Sequence, residues 1–300
     1  TPLPPTGFKA AASGWQVALS WAAYNSATNF VIKRATNIGG PYSVIAVTNG
    51  TSYVDSSVAV GGTYYYTLSA LLPSDQTPET APVSAAIGAS LRAYLPMDDG
   101  SGTLATDVTG NGWDGALVNG ASWVSGYSNG AVNLNGNSQY VSLPAGVVSN
   151  LTDFSITAWV NLSLVSDWAR LFDFGSGTSA YMFLAPQSGS GTLRFAISTN
   201  GYGAEQQISG PSALSVGGWH HVAVTLTGGV GILYQDGMPV GTNSAMTFTP
   251  AILGATTQNW IGRSQFSPDP YLNGSVDDFR IYNGALTAGE VATFLTPLAA

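Results

Sequence analysis

The stretch WHHVAVTLTGGVGILYQDG, residues 219–237, decides the fold of this chain. Apolar side chains occupy every second position from 222 to 226, and this period of two predicts a β-strand with one buried face. Gly228-Gly229 supplies the positive φ angles of a tight turn, residues 232–235 return as a second strand, and Asp236-Gly237 turns the chain again. A two-stranded hairpin is marginal in isolation, so the stretch must belong to a larger sheet.

The composition favours an all-β protein of the secreted type. Hydrophobic residues make up 45% of the 300 positions and charged residues 8%, with 37 Gly and 8 Trp. A net charge of −8 with 8 Lys and Arg argues against nucleic acid as a partner. Cysteine is absent, so there is neither a disulfide framework nor a thiolate zinc site.

The length of the apolar runs and the Pro-rich start of the chain bear on membrane association and on domain context. No apolar run reaches the roughly 18–20 residues that a membrane span needs, so no membrane partner is expected. The Pro-rich start after Thr1 predicts a linker trimmed from a longer polypeptide, whose catalytic part would lie elsewhere.

The second part of the chain carries a family resemblance. The opening stretch, followed by WIGRS (260–264) and LNGSVDDFRIYNGALTAGEV (272–291), resembles the laminin-G-like, concanavalin A-like jelly roll of secreted bacterial polysaccharide-degrading proteins. The resemblance implies a double-sheet sandwich that is usually a non-catalytic ligand-binding or spacer module. It implies no particular ligand.

Residues 1–89 read as a separate domain of short strands at regular spacing. The predicted strands are 16–21, 29–34, 42–48, 52–55, 62–71 and 81–87. The stretch GGTYYYTLSAL (61–71) resembles the late strand of fibronectin type III modules, in which Tyr64 or Tyr66 would cap a loop corner. The fold class is therefore all-β, with two β-sandwich domains: a fibronectin type III-like domain at 1–89 and a laminin-G-like jelly roll at 90–300.

Within the second domain, alternation and turn residues place further strands and one helix. The predicted strands are 91–96, two within 121–144, 154–162, 169–175, 180–186 and 193–198. Thr287 followed by Glu290 forms a capping box and predicts a helix over 287–295.

Catalytic constellations are weak. Jelly-roll glucanases carry clustered acids of the E-x-D-x-x-E type, whereas the three Glu residues here are Glu79, Glu205 and Glu290. His220 and His221 are adjacent, so they point to opposite faces of one strand. A Ser-His-Asp triad would need a nucleophile elbow, and none is visible. We expect a non-catalytic fragment, with an unrecognised glycoside hydrolase or polysaccharide lyase as the alternative.

Oxygen-rich turns suggest a cation site. The resemblance implies a structural Ca²⁺ where the first loops meet the terminal strand, and the matching positions are Asp107, Asn111 and Asp277, with Asp99 or Asp114 as further candidates. The alternative is that these side chains make turns through local hydrogen bonds.

Aromatic rings beside charged residues predict a sugar site. A pyranose or furanose stacks its C–H face on a flat ring, while polar groups bind its hydroxyls. Trp168 in the polar turn VSDWAR is the leading candidate, and Phe266 shares the SQFSPDPY loop with Tyr271. The predicted ligand-binding residues are Trp168, Arg170, Asp173, Arg194, Tyr202, Glu205, Trp260 and Tyr271. The alternative for each is an ordinary surface or strand-pair residue.

The function expected from the sequence is that of an accessory region of a secreted bacterial polysaccharide-degrading enzyme. It would bind a plant or algal polysaccharide or oligosaccharide through the jelly roll, as a monomer tethered to a catalytic domain. Arabinose- or galactose-containing glycans are the expectation from resemblance. The rival is a structural spacer or cell-surface protein-interaction module without sugar affinity.

Overall fold

A computed structural model of the chain describes residues 2–13, 16–58 and 62–295. The chain forms two units, Thr1–Ser90 and Leu91–Ala300. Both are built from β-strands, and together they make the fold all-β with two β-sandwich units. None of the helices in the described ranges has the length and apolar character needed to cross a membrane.

The first unit is a sandwich of three strands on four. Its sheets have the orders β1-β2-β5 and β4-β3-β6-β7. The strands are β1 (Lys9–Ser13), β2 (Gln16–Ser20), β3 (Asn29–Ala35), β4 (Ser43–Thr48), β5 (Ser52–Asp55), β6 (Thr63–Leu71) and β7 (Val83–Ala86). This is the seven-strand arrangement of a fibronectin type III-like sandwich.

Alternation in β2 explains the core of the first unit. Val17, Leu19 and Trp21 are buried, whereas the side chains between them are exposed, so the strand turns one face to the core. Of the two tyrosines considered for the loop corner, Tyr66 is fully buried and its hydroxyl donates to Asp55 Oδ2 at 3.0 Å. The hydroxyl therefore binds a side chain of β5.

The second unit contains two large sheets packed face to face. The front sheet has the order β18-β17-β16-β15-β22-β13-β10-β9, and the back sheet has the order β11-β12-β23-β14-β19-β20-β21 with β8 paired to β23. The strands are β8 (Ser90–Leu95), β9 (Leu104–Ala105), β10 (Gly115–Val118), β11 (Ser122–Ser125), β12 (Gly130–Asn135), β13 (Tyr140–Leu143), β14 (Phe154–Leu164), β15 (Phe172–Gly175), β16 (Tyr181–Ala185), β17 (Arg194–Ser198), β18 (Gln206–Ser209), β19 (Trp219–Thr227), β20 (Val230–Gln235), β21 (Met238–Asn243), β22 (Gln258–Ile261) and β23 (Asn273–Asn283).

The hairpin predicted from residues 219–237 is present as β19 and β20. Its turns place Gly228 and Gly229 at φ 54° and 80°, and Asp236 and Gly237 at φ 49° and 75°. The prediction of one buried face is wrong, because residues 221–226 are buried on both faces. The second face is covered from the C-terminal segment, where the Phe294 ring lies 5.3 Å from the His221 ring.

The structure also contains strands that the sequence did not predict, namely β1, β9, β10, β18 and β21. Helix α1 (Ala288–Thr293) has the expected capping box between Thr287 and Glu290. Two 3₁₀ segments, Tyr202–Ala204 and Pro250–Leu253, complete the helical structure of the described residues. The range 121–144 holds three strands rather than two, because Gly136 at φ 75° allows a turn between β12 and β13.

Candidate functional site

The front sheet buries side chains on both of its faces. Alternate residues of β15, β16 and β17, such as Phe172, Leu184 and Phe195, enter the core between the two sheets. The intervening residues form a second apolar cluster on the outer face, comprising Tyr181, Phe183, Ala185 and Ala196. Trp168 and Phe266, from two loops, pack against this cluster. The outer face is therefore covered at its centre.

Strand register places one row of side chains across this face. Asp173 on β15 pairs with Trp260 on β22 and with Phe183 on β16. The row continues through Ala196 on β17 to Gln207 on β18. Neighbouring strands lie about 4.8 Å apart, so this row of five side chains is about 19 Å long.

A cavity of about 370 Å³, the front cavity, opens above the row. It combines aromatic rings, guanidinium groups, carboxylates and an amide, contributed by Trp168, Arg170, Arg194, Tyr202, Glu205, Gln207, Phe266 and Asp269. This size falls within the range of about 300–1,000 Å³ that small-molecule sites occupy.

Arg170 organises the floor of the front cavity. Its guanidinium lies 3.0 Å from Asp269 Oδ2 and 3.4 Å from Asp173 Oδ2, and it sits 3.8 Å over the Phe183 ring. Arg170 is 3% exposed, so its guanidinium group is almost completely shielded from solvent. Because Asp269 belongs to the loop after β22, the network ties that loop to β15.

Burial disfavours the ionised form of the Asp173 carboxyl group. It is fully buried, its Oδ2 accepts from the backbone N–H of Gln265 at 3.0 Å, and its Oδ1 has no hydrogen-bond partner among the described residues. Burial raises the pKa of Asp173 to about 7, against the opposing effect of Arg170. The group therefore titrates near neutral pH while it anchors the 264–269 loop.

Trp168 forms one wall of the front cavity from an unusual backbone conformation. Its φ of 65° lies in the left-handed region, which is uncommon for a bulky residue and recurs at functional sites. Its ring lies 5.5 Å from the guanidinium carbons of both Arg170 and Arg194. Arg194 donates to the hydroxyls of Ser190 and Ser209 and forms no ion pair with the described residues.

The lining of the front cavity also includes an exposed ring and a carboxylate. Tyr202 is 82% exposed and lies in the 3₁₀ segment after β17. Glu205 Oε1 accepts from the buried hydroxyl of Tyr181 at 2.7 Å. Burial and this hydrogen bond raise the pKa of Tyr181, so its hydroxyl stays a donor.

The structure brings together five of the eight predicted ligand-binding residues, namely Trp168, Arg170, Arg194, Tyr202 and Glu205. Asp173 lies beneath them as a buried anchor. Trp260 is 9% exposed and Tyr271 is half-buried, and both lie farther along the face, around Arg263.

Sequence reasoning missed Gln207 and Asp269 as cavity residues. Gln207 reaches the cavity on β18, which pairs with the preceding strand β17, whereas Asp269 reaches it through its contact with Arg170, about a hundred residues earlier. The one available signal is that Asp269 shares the loop of Phe266, whose ring lines the same cavity.

Comparison with known proteins identifies the second unit. A family model described as the concanavalin A-like lectin/glucanases superfamily matches residues 135–292. The chain belongs to this superfamily. Superfamily membership agrees with the two packed sheets described above, and it leaves the ligand open.

Individual relatives cover parts of the chain. An alpha-L-arabinofuranosidase of Bifidobacterium longum subsp. longum is 24% identical over 170 residues, which are 53% of this chain and 16% of that enzyme. Domain 4 of AbnA, a GH43 extracellular arabinanase from Geobacillus stearothermophilus solved with arabinotriose, is 24% identical with a TM-score of 0.60, covering 69% of this chain and 99% of that one. A fibronectin type III-like protein from Clostridium thermocellum is 37% identical, covering 28% of this chain and 90% of that one, with a TM-score of 0.27. The arabinanase domain shares the jelly-roll fold of this superfamily member.

Two of the three predicted metal ligands, Asp107 and Asn111, already have hydrogen-bond partners in the protein. The carboxylate of Asp107 accepts hydrogen bonds from the backbone N–H groups of Tyr94, Thr109 and Trp113. Burial opposes ionisation there, yet these hydrogen bonds hold the pKa of Asp107 below its usual value. Asn111 donates its amide to the carbonyl of Arg92. Both side chains thus fix the 107–113 loop against β8.

Asp277, the third predicted ligand, has one carboxylate oxygen without a hydrogen-bond partner among the described residues. It is fully buried on β23, its Oδ2 accepts from the Ser128 N–H at 3.0 Å, and its Oδ1 has no partner among the described residues. Burial, with the nearby charges of Asp278 and Asp98, raises its pKa to about 7. No group of three or more Asp, Glu, His or Cys side chains suited to a metal ion occurs within the described ranges.

A Ser-His-Asp relay is present on the back sheet, although the sequence shows no nucleophile elbow. His220 Nε2 lies 2.7 Å from Ser215 Oγ, and its Nδ1 lies 2.8 Å from Asp236 Oδ2. Asp236 Oδ1 also accepts the N–H of His221, and Asp236 N–H donates to the His221 carbonyl. These hydrogen bonds therefore connect the start of β19 to the end of β20. None of Ser215, His220 and Asp236 lines the front cavity.

Proposed function

We propose that this chain is a non-catalytic accessory region of a secreted polysaccharide-degrading enzyme, and that it binds a plant or algal glycan through the outer face of the front sheet. The observation that carries the proposal is the front cavity, in which aromatic rings and hydrogen-bonding groups converge over a buried apolar floor. In this account the first unit acts as a spacer.

The chemistry of the front cavity suits a neutral sugar. Trp168, Tyr202 and Phe266 offer ring surfaces for the C–H face of a sugar, and Arg194, Glu205 and Gln207 offer donors and acceptors for its hydroxyls. The Arg170 network fixes the 264–269 loop before ligand arrives, so little ordering entropy is lost on binding.

The relatives support arabinose-containing glycans as the ligand class. One relative is an alpha-L-arabinofuranosidase, and the arabinanase domain was solved with arabinotriose. Because both belong to polysaccharide-degrading enzymes and this chain spans 16% of the first, we propose that a catalytic domain accompanies it in a longer polypeptide. An extracellular arabinanase as a fold relative supports secretion.

A glycoside hydrolase is the second candidate, because Glu205 and Asp269 line the same cavity. Hydrolysis of a glycoside needs one carboxylic acid that donates a proton and one carboxylate. Asp269 Oδ2 binds the Arg170 guanidinium and the Ser264 hydroxyl, so this carboxylate has a structural role. One oxygen of Glu205, Oε1, already accepts a hydrogen bond from the Tyr181 hydroxyl. These contacts favour binding over catalysis.

We further propose a structural Ca²⁺ site at Asp277. The unpartnered, fully buried Oδ1 of Asp277, close to Asp98, supports the proposal because Ca²⁺ prefers carboxylate and carbonyl oxygens. Asp277 and Asp98 would hold the ion, which would neutralise their charges and fix the 126–130 turn that both carboxylates already bind.

A gel-affinity screen tests the proposed function. The chain is run through gels containing arabinan, arabinogalactan, xylan or alginate, together with Tyr202→Ala and Tyr202→Phe. We expect retardation by arabinan, its loss in Tyr202→Ala, and its retention in Tyr202→Phe, since the ring supplies the stacking surface. Tyr202 is 82% exposed, so both variants should melt like the wild type.

Two outcomes would contradict the proposal. Retardation by none of the polysaccharides, from a protein that melts cooperatively, would favour the spacer role. Release of reducing sugar from any of them, lost in Glu205→Gln, would establish the hydrolase.

A further inference from the structure

Beside the front cavity, a second cavity of about 100 Å³, the side cavity, is centred on Arg263. Phe266 and Asp269 line both cavities. The two cavities are therefore adjacent, and one extended ligand can contact both.

Arg263 is held rigidly at this place. Its guanidinium carbon lies 4.0 Å from the Trp260 ring and 4.8 Å from the Tyr140 ring. The preceding Gly262 has φ 91°, and a Cβ there would come within 2.2 Å of Leu134, so the bend that directs Arg263 requires glycine. Stacking on rings occupies the faces of a guanidinium and leaves its N–H edge for hydrogen bonds.

The side-chain donors of Arg263 have no acceptor among the residues that the structure describes. Within the described ranges it forms no hydrogen bond and no ion pair. The other arginines differ: Arg34 binds Asp55, Arg170 binds two carboxylates, and Arg280 binds Asp278. Arg92 donates to backbone carbonyls, and Arg194 donates to hydroxyls.

Among the described residues, the lining of the side cavity supplies no counter-charge that pairs with Arg263. Asp269 is its one carboxylate, and its Oδ2 binds Arg170 and Ser264 instead. The Gln265 side chain is also satisfied, since it accepts from Gly177 N–H and donates to the Gln258 carbonyl. What remains for a ligand is the Arg263 fork, together with the hydroxyls of Ser267 and Tyr271. All three can donate to an anion.

We propose that the side cavity is a second subsite that binds an acidic sugar, through an anionic oxygen group such as a uronate carboxylate or a sulfate ester. A planar guanidinium fork binds such groups in a bidentate manner, and these hydrogen bonds are among the strongest in proteins. This inference rests on the proposed function: the neutral part of the glycan occupies the front cavity, and the acidic residue occupies the side cavity. The preferred ligand is thus a glycan that carries an acidic residue rather than a wholly neutral chain.

Calorimetry with four matched probes tests the inference. The probes are a neutral arabinotetraose, the same tetrasaccharide with a terminal glucuronic acid, its carboxyl-reduced form, and the tetrasaccharide with a sulfate ester in place of the acid. We expect the wild type to bind an anionic probe at least about tenfold more tightly than the reduced form, with the advantage shrinking at high salt. The stronger of the two anionic probes identifies the group.

Variants assign the preference to Arg263. Arg263→Gln should lose the anionic preference while it binds the neutral probe like the wild type, and Arg263→Lys should keep part of it, because the charge remains and the fork is lost. Lys9→Gln removes an exposed cation of the first unit and should change nothing. Equal melting temperatures show that each variant is folded.

The outcomes separate this inference from the proposed function. If the neutral and anionic probes bind equally to the wild type, or if Arg263→Gln keeps the preference, the acidic subsite is wrong and the glycan-binding role stands. If no probe binds and arabinan also fails to retard the protein in gels, both are wrong.

Discussion

Replacing Arg170 with Met should expose how the binding face is held in place. Met keeps an unbranched apolar side chain against Phe183 but removes the cation shared by Asp173 and Asp269. Because Asp173 is fully buried, the variant leaves a carboxyl group with no counter-charge in an apolar floor. Breaking a buried ion pair in this way costs about 3–5 kcal/mol.

The cost should depend on pH in a defined direction. The pKa of Asp173 is about 7 in the folded protein and about 3.9 in the unfolded chain. The stabilisation by its protonated form is therefore complete below about pH 4 and is lost as the pH rises through 7. At pH 5 the folded wild type already carries a neutral Asp173, so Arg170→Met removes less there than at pH 8.

Scanning calorimetry at pH 5 and pH 8 measures the effect. For a unit of about 210 residues, 1 kcal/mol shifts the melting temperature by about 2–4 °C, so Arg170→Met should lower it by roughly 6–20 °C at pH 8 and by clearly less at pH 5. Arg170→Met with Asp173→Asn should recover most of the loss, because the stranded carboxylate is gone.

The first unit provides the contrasting case. Burial raises the pKa of Asp55, but hydrogen bonds from Arg34, Ser57 and Tyr66 outweigh it and hold the pKa below its usual value. Asp55 is therefore ionised at both pH values, and Arg34→Met should cost the same at pH 5 and pH 8. An equal cost of Arg170→Met at the two pH values, or no recovery in the double variant, would refute the reasoning.

Two further predictions concern the back sheet. Calcium should raise the melting temperature of the wild type by several degrees, and by more at pH 8 than at pH 6, because Asp277 with its pKa of about 7 must ionise to bind the ion. Asp277→Asn should abolish this shift. A wild-type melting temperature that changes with neither calcium nor chelator would contradict the site. His220→Ala should cost about 0.5–1.5 kcal/mol in urea unfolding, because Asp236 and Ser215 lose their hydrogen bonds to the imidazole but stay accessible to water. Glycan retardation in gels should stay unchanged, and lost retardation would show that the relay serves binding.

Local patterns predicted most of the fold. The alternation of Val17, Leu19 and Trp21 and the glycine turns of the β19–β20 hairpin depend on neighbours in sequence, and both appear as expected. The second buried face of β19 could not be read in this way. It is covered by Phe294, which lies about seventy positions later and reaches the strand through tertiary packing.

The candidate site was predictable in residue type but not in arrangement. Charged residues make up 8% of the chain, so Arg170, Arg194 and Glu205 stood out, and the turns around Trp168 and Tyr202 marked two rings; all five line the front cavity. The same reasoning could not show that Arg170 is 3% exposed or that Trp260 is covered by Arg263. Burial of that kind depends on the strand order β16-β15-β22, which pairs segments about ninety residues apart.

The most direct test of the central claim compares two tryptophans. Trp168 and Trp113 are both half-buried and both lie near a guanidinium, Trp113 with Arg92 at 4.8 Å, but Trp168 alone of the two lines the front cavity. Calorimetric titration with arabino-oligosaccharides should show that Trp168→Ala weakens binding at least about tenfold and that Trp113→Ala leaves it unchanged. Equal affinities of the two folded variants would place the glycan elsewhere and contradict the account.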